Sequence, residues 1–280
     1  MTRPREGETL RLQIQNNSIT QIDEVSLEQR RISRDRTSFI IRNKFRKASG
    51  DRLLGPLWLV LDPLIFSLIY LFVFTVVRAR IEASSIFIGV TLYRVLQSSL
   101  MSGTKSLIDS NGGLKCERVD SSVMLRANIG HLFADITLQT LPTAIILIMG
   151  LDVMLVGGLL YLITAHLMGL LVFGLGMSIS GLMTKIPDLK SVLRYGLMVG
   201  FYASPAMIPM YKMSGFHYSV NKYNPFSYFV EFVRYNCEVS SAYLDLDVHI
   251  FAFILSSFTI LTISGFRRYD KMRWRMSSWS

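Results

Sequence analysis

The chain has 280 residues, half of them hydrophobic and only 18% charged, with a net charge of +10. That composition suits several apolar spans joined by short loops and argues against an ordinary water-soluble domain. The basic excess falls mostly outside the apolar stretches and unevenly around them, so it reads as a topology signal and not as a nucleic-acid-binding surface.

Residues 1–26 are polar and include Gln15-Asn16-Asn17; they are expected to be weakly ordered. They hold no apolar core of a cleavable signal peptide, which leaves the first span to serve as the insertion signal. From 27 to 47, Leu27, Ile32, Phe39, Ile40 and Phe45 punctuate an arginine-dense run. Two readings are open: an amphipathic helix lying along the inner membrane surface, or a solvated basic tail held by anionic lipid.

Six stretches then have the length that a bilayer core of about 30 Å asks of a helix. They are Leu53–Val77, Ser85–Ser102, Ile129–Gly150, Val153–Met183, Val192–Pro209 and Val248–Phe266. The first contains Asp62-Pro63, where proline removes a backbone donor and favours a kink; Asp62 faces either that bend or a wet crevice. Pro142 can bend the third span in the same way. The fourth is over-long and is expected to tilt or to end early. It is rich in small residues, with Ala165/Gly169 and Gly174/Ser178 spaced for close helix approach.

Charge sets the orientation. Twelve of the thirty basic residues precede the first span, and Arg267, Arg268, Lys271, Arg273 and Arg275 follow the last, in the basic tail 267–280. Both termini are therefore expected in the cytoplasm, with Cys116 inside and Cys237 outside. Arg94 and Asp135 are the ionisable residues deepest in spans. They lie at similar depths, so they are expected either to pair across adjacent helices or, for Arg94, to snorkel from a short second span.

The outer segment 210–247 is long and aromatic. Asn224 can cap a helix whose first position is Pro225 and which ends near Asn236. At roughly 12 residues such a helix cannot span, so a re-entrant piece is predicted. Glu231 and Arg234 would share one face of it, turned toward partly wet protein.

No catalytic constellation stands out. His131, His166, His217 and His249 lie on separate segments without paired ligand spacing, so no metal site is expected. Ser102-Gly103-Thr104-Lys105-Ser106 lacks the glycines of a phosphate loop, so this chain is expected to bind no cofactor.

Three motifs carry a family resemblance. Leu54-Gly55-Pro56-Leu57-Trp58 with Leu61-Asp62-Pro63, Tyr202-Ala203-Ser204-Pro205, and Asn224-Pro225-Phe226 leading to Glu231 and Arg234 occur in this order relative to the six spans. The set resembles the permeases of type-2 ABC exporters, closest to those for capsular polysaccharide, O-antigen and teichoic acid, over residues 27–275. One departure is that the family's inner-loop Lys-x-x-Phe-Pro run is represented by Gly112–Arg118 without proline.

The resemblance implies an all-α membrane protein with six spans, an N-terminal interfacial helix and a re-entrant outer helix. It implies a homodimer in the plasma membrane, with two ATPase subunits carrying ATP and Mg, that moves a lipid-linked glycan outward. Leu107, Asp109, Asn111, Lys115, Glu117 and Arg118 would couple to the ATPase. Phe72, Tyr93, Tyr161, Tyr202, Tyr223 and Tyr228 are candidates for the sugar path, because sugar rings stack on aromatics. Export of a drug, lipid or peptide, or an anchor or enzyme without transport, are the alternatives.

Overall fold

A computed structural model describes residues 28–46, 57–76, 82–112, 121–186, 188–239 and 248–277. Among them the regular structure is entirely helical. The helices are α1 (28–46), α2 (Leu57–Val76), α3 (Ala83–Gly112), α4 (Ser121–Gly150), α5 (Leu155–Lys185), α6 (Leu189–Ala203), α7 (Gly215–Lys222), α8 (Pro225–Asn236) and α9 (Val248–Ser277).

Helix α5 is the centre of the bundle, packed against α3 most extensively and against α9 and α4. Its small residues explain why. A Cβ on Gly176 would meet the Leu100 carbonyl oxygen at 2.5 Å and the Gly103 Cα at 3.0 Å, so α3 and α5 touch backbone to backbone. On the neighbouring face, Gly174 lies against Thr262, and Gly265 of α9 sits over the Gly174 carbonyl. Ser178 Oγ donates to the Leu261 carbonyl at 2.9 Å, and Thr262 Oγ1 donates to the Leu171 carbonyl at 3.0 Å. Close approach and interhelical hydrogen bonds are the forces available between helices where lipid removes the hydrophobic drive.

The element limits narrow one expectation to its tilt arm and correct another. The fourth stretch does not end early: α5 runs 31 residues, to Lys185, or about 46 Å at the helical rise. The fifth does end early, at Ala203 and not Pro209. Ser204 adopts an extended backbone, as a residue before proline favours. The chain then continues without regular helix through Pro209 to a short turn at Met210–Lys212. At 15 residues, α6 is about 22 Å long. Among the described residues two elements are apolar enough over sufficient length to cross a membrane, Ser122–Gly150 and Leu155–Lys185, while α2 and α9 carry the shorter apolar stretches Val60–Val73 and Phe251–Arg267. Helix α4 stays continuous through Pro142.

Helix α1 docks on the start of α4. Lys44 Nζ donates to Asn128 Oδ1 at 2.6 Å, the Phe45 ring lies 4.6 Å from that of His131, and Ile41 covers Gly130. The docked side is a helical stripe of positions 37, 40, 41, 44 and 45, whereas Ile32 and Phe39 stay exposed on the opposite side. The Ser102–Ser106 segment lies within α3, and its Gly103 is spent on the α5 crossing.

Candidate functional site

The segment that follows α6 is knitted by polar chemistry from the end of α6 to the end of α8. The last carbonyls of a helix lack partners within it. The Ala203 carbonyl is satisfied from α7, accepting from Asn221 Nδ2 at 2.7 Å and from His217 Nε2 at 2.9 Å. Asn224 Nδ2 donates to Asn221 Oδ1 at 3.1 Å, and Asn224 Oδ1 accepts from the Phe226 amide at 3.1 Å, capping α8 with Pro225 in its first turn. The Tyr228 hydroxyl donates to the Lys222 carbonyl at 2.9 Å.

Further along α8, Arg234 Nη1 donates to Glu231 Oε1 at 2.7 Å, with both side chains at 0% exposure. Arg234 Nη2 donates to the Ser85 carbonyl at 3.0 Å and toward the Ala206 carbonyl at 3.4 Å, while Glu231 Oε1 accepts from the Met210 amide at 3.2 Å. The pair therefore clamps the irregular Ser204–Met210 segment to the first turn of α3. Gly89 leaves the room: a Cβ there would strike the Ala206 carbonyl and Arg234 Nη2.

This corrects the expectation that Glu231 and Arg234 face partly wet protein, since both are sealed in the interior. Helix α8 lies on α5, α3 and α9. Phe226 meets Tyr93 edge-on at 5.2 Å, and Tyr228 and Phe229 meet Phe251. Phe232 points outward. Sequence reasoning placed the two charges on one face but missed Ser85, Ala206 and Met210, whose contributions are backbone groups and leave no side-chain signal.

Arg94 and Asp135 are not joined. Arg94 lies with Cζ 4.2 Å from the Phe66 ring centroid on α2. Asp135 Oδ2 accepts from Gln139 Nε2 at 2.9 Å, and Gln139 Nε2 reaches Ser98 Oγ at 3.1 Å. Asp135 thus meets α3 one turn from Arg94 while Arg94 turns toward α2. Arg94→Ala and Asp135→Ala are accordingly expected to change thermal stability independently, their effects adding in the double variant. A double variant milder than the sum of the singles, measured by thermal unfolding of purified protein, would restore the pair.

The path candidates divide. Tyr93, Tyr161 and Tyr228 are buried, and their hydroxyls bond inside the subunit, to the Leu197 carbonyl at 2.7 Å, Thr91 Oγ1 at 2.8 Å and the Lys222 carbonyl at 2.9 Å. They cannot line a surface, which corrects their assignment to a path. Phe72, Tyr202 and Tyr223 are exposed. Leu107, Asp109 and Asn111 fall on the last turns of α3, and Lys115, Glu117 and Arg118 lie outside the described residues.

The central Gly-packed helix α5, the capped helix α8 and the apolar spans meet in one comparison. The sequence model of the ABC-2 type transporter family matches residues 36–237, well over half of the chain. The chain belongs to that family. It is a multi-pass membrane protein and the membrane subunit of an ABC transporter, a family whose permeases work with an ABC ATPase partner. No curated protein matches the chain. The family match takes in the α1–α4 contact, the α3–α5 crossing and the whole of α8, so the Glu231–Arg234 clamp lies inside the ABC-2 permease region.

Proposed function

We propose that this ABC-2 permease is one half of a homodimer of six-span subunits that, with two ATPase subunits, moves a lipid-linked glycan out of the cytoplasm across the plasma membrane. The family match carries the transport reading. The glycan reading is supported by an uncovered aromatic surface on α2 and α6, where Phe66, Phe72, Tyr195 and Tyr202 are exposed beside Ile69 and Met198. Aromatic faces accept sugar rings without binding charge strongly, and the same surface is a natural place for a second copy to sit across a shared path. In this reading α8 is a re-entrant brace, and the segment from Leu107 to Val123 meets the ATPase, flanked by α1. Reconstitution with the ATPase is expected to give ATP-dependent movement of a glycan-lipid into proteoliposomes. ATP turnover that responds to hydrophobic drugs and ignores glycan-lipid would replace this substrate with the drug-export alternative.

The topology in this proposal has both termini in the cytoplasm and α7–α8 outside. Cys237 is a poor reporter of it, because the side chain is buried and burial pushes the thiol up to about 11, leaving little thiolate at neutral pH. In intact cells an impermeant maleimide is expected to label Ser219→Cys, on the exposed side of α7, quickly and Cys237 slowly. Absence of Ser219→Cys labelling until the membrane is opened would invert the topology.

A further inference from the structure

In the six-span reading proposed above, helix α3 carries the Arg94 guanidinium within the bilayer, and among the described residues no carboxylate pairs with it. Arg94 is eleven residues from the Ala83 end of α3, about 17 Å along the axis. It is half-buried, and among the described residues it makes no hydrogen bond or ion pair; its close neighbour is the Phe66 ring at 4.2 Å. The field of Asp62, one turn before Phe66 on α2, reaches it, but the two stand beyond ion-pair distance.

The surroundings are those of an anion site with an aromatic wall. Tyr70, one turn beyond Phe66, stands close enough for Arg94 to act on it electrostatically, and its hydroxyl is 3.4 Å from that of Tyr202 on α6. Tyr202 and Phe66 open to the outside of the subunit. A ring face offsets only part of the hydration lost by a guanidinium in a bilayer. The planar donor fork matches phosphate oxygens two at a time.

We propose that Arg94, with the hydroxyls of Tyr70 and Tyr202, binds the phosphate group of a lipid-linked substrate at membrane depth, the aromatic rings taking the adjoining sugar. This rests on the glycan-lipid reading above and adds the group by which the lipid carrier is held.

The test uses the full chain in neutral phosphatidylcholine nanodiscs, with native mass spectrometry counting bound hexadecyl phosphate or hexadecanol. The wild type is expected to retain the phosphate about tenfold better than the alcohol, and Arg94→Gln to lose that preference. Arg94→Lys should keep it within about threefold, and the Tyr70→Phe/Tyr202→Phe double variant, which preserves the ring packing, should weaken it about three- to tenfold. Undiminished retention by Arg94→Gln, or by the double tyrosine variant should Arg94→Gln not fold, overturns the site. Displacement by millimolar inorganic phosphate assigns a free anion and overturns the lipid-linked ligand. A wild type with no preference for the phosphate overturns the inference alone if reconstituted glycan-lipid export proceeds, and overturns the proposed function with it if export also fails.

Discussion

Replacing Arg234 by alanine is expected to abolish most of the folded protein. The change strands the Glu231 carboxylate at 0% exposure and deletes the bonds to Glu231 and to the Ser85 and Ala206 carbonyls together. Removing one partner of a buried pair costs about 3–5 kcal/mol, a large part of a typical domain's stability. Glu231→Ala should cost less, because the guanidinium keeps its two carbonyls. The pair is incompletely satisfied, as Glu231 Oε2 and Arg234 Nε have no partner among the described residues. For that reason Glu231→Met/Arg234→Met should recover much of the loss, as apolar replacement of buried pairs commonly does. Monodisperse yield on size exclusion and the heating midpoint decide it: a double variant worse than Arg234→Ala would mean that the charges do more than hold α8 in place.

The second large effect belongs to the α3–α5 crossing. Gly176→Val puts side-chain atoms where the Leu100 carbonyl and the Gly103 Cα already stand, at 2.5 and 3.0 Å from the new Cβ. The obstacles are backbone, so no rotamer change relieves them and the helices must separate. Overpacking of this kind costs about 1–3 kcal/mol or more, and here it also breaks the longest seam of the bundle. Gly196→Ala on α6 is the matched control. Nothing lies within 4 Å of its new Cβ, and alanine is favoured over glycine in a helix by about 1 kcal/mol. A heating midpoint for Gly176→Val equal to that of Gly196→Ala would mean the crossing is looser than described.

How much of this was legible depends on whether the determinant is local. The start of α8 was, because Asn224-Pro225 writes its cap and first turn into adjacent residues. The early end of α6 was readable in principle from Pro205, and hydropathy alone ran through it. That Arg94 and Asp135 turn apart was not legible. Helical rise fixes the depth of a charge, but its direction around the axis depends on how neighbouring helices are turned, and Asp135 meets α3 at Ser98 instead. Gln139, four residues on from Asp135, was the available hint, since i,i+4 neighbours share a face. The buried tyrosines failed for the same reason: an aromatic side chain carries no mark of whether its hydroxyl will find a carbonyl inside or open surface.

The α3–α5 seam has a consequence for biogenesis. Helix α3 holds Arg94 and Gln97 and a run of serines, so it is a reluctant guest in lipid, while the glycine-lined partner that shields it is made only after α4 has been completed. The nascent chain must keep α3 sheltered, in the translocation machinery or against α4, until α5 emerges. Truncations that stop between Gly150 and Leu155 would then leave α3 exposed to quality-control proteases, and those that extend past Lys185 would rescue it.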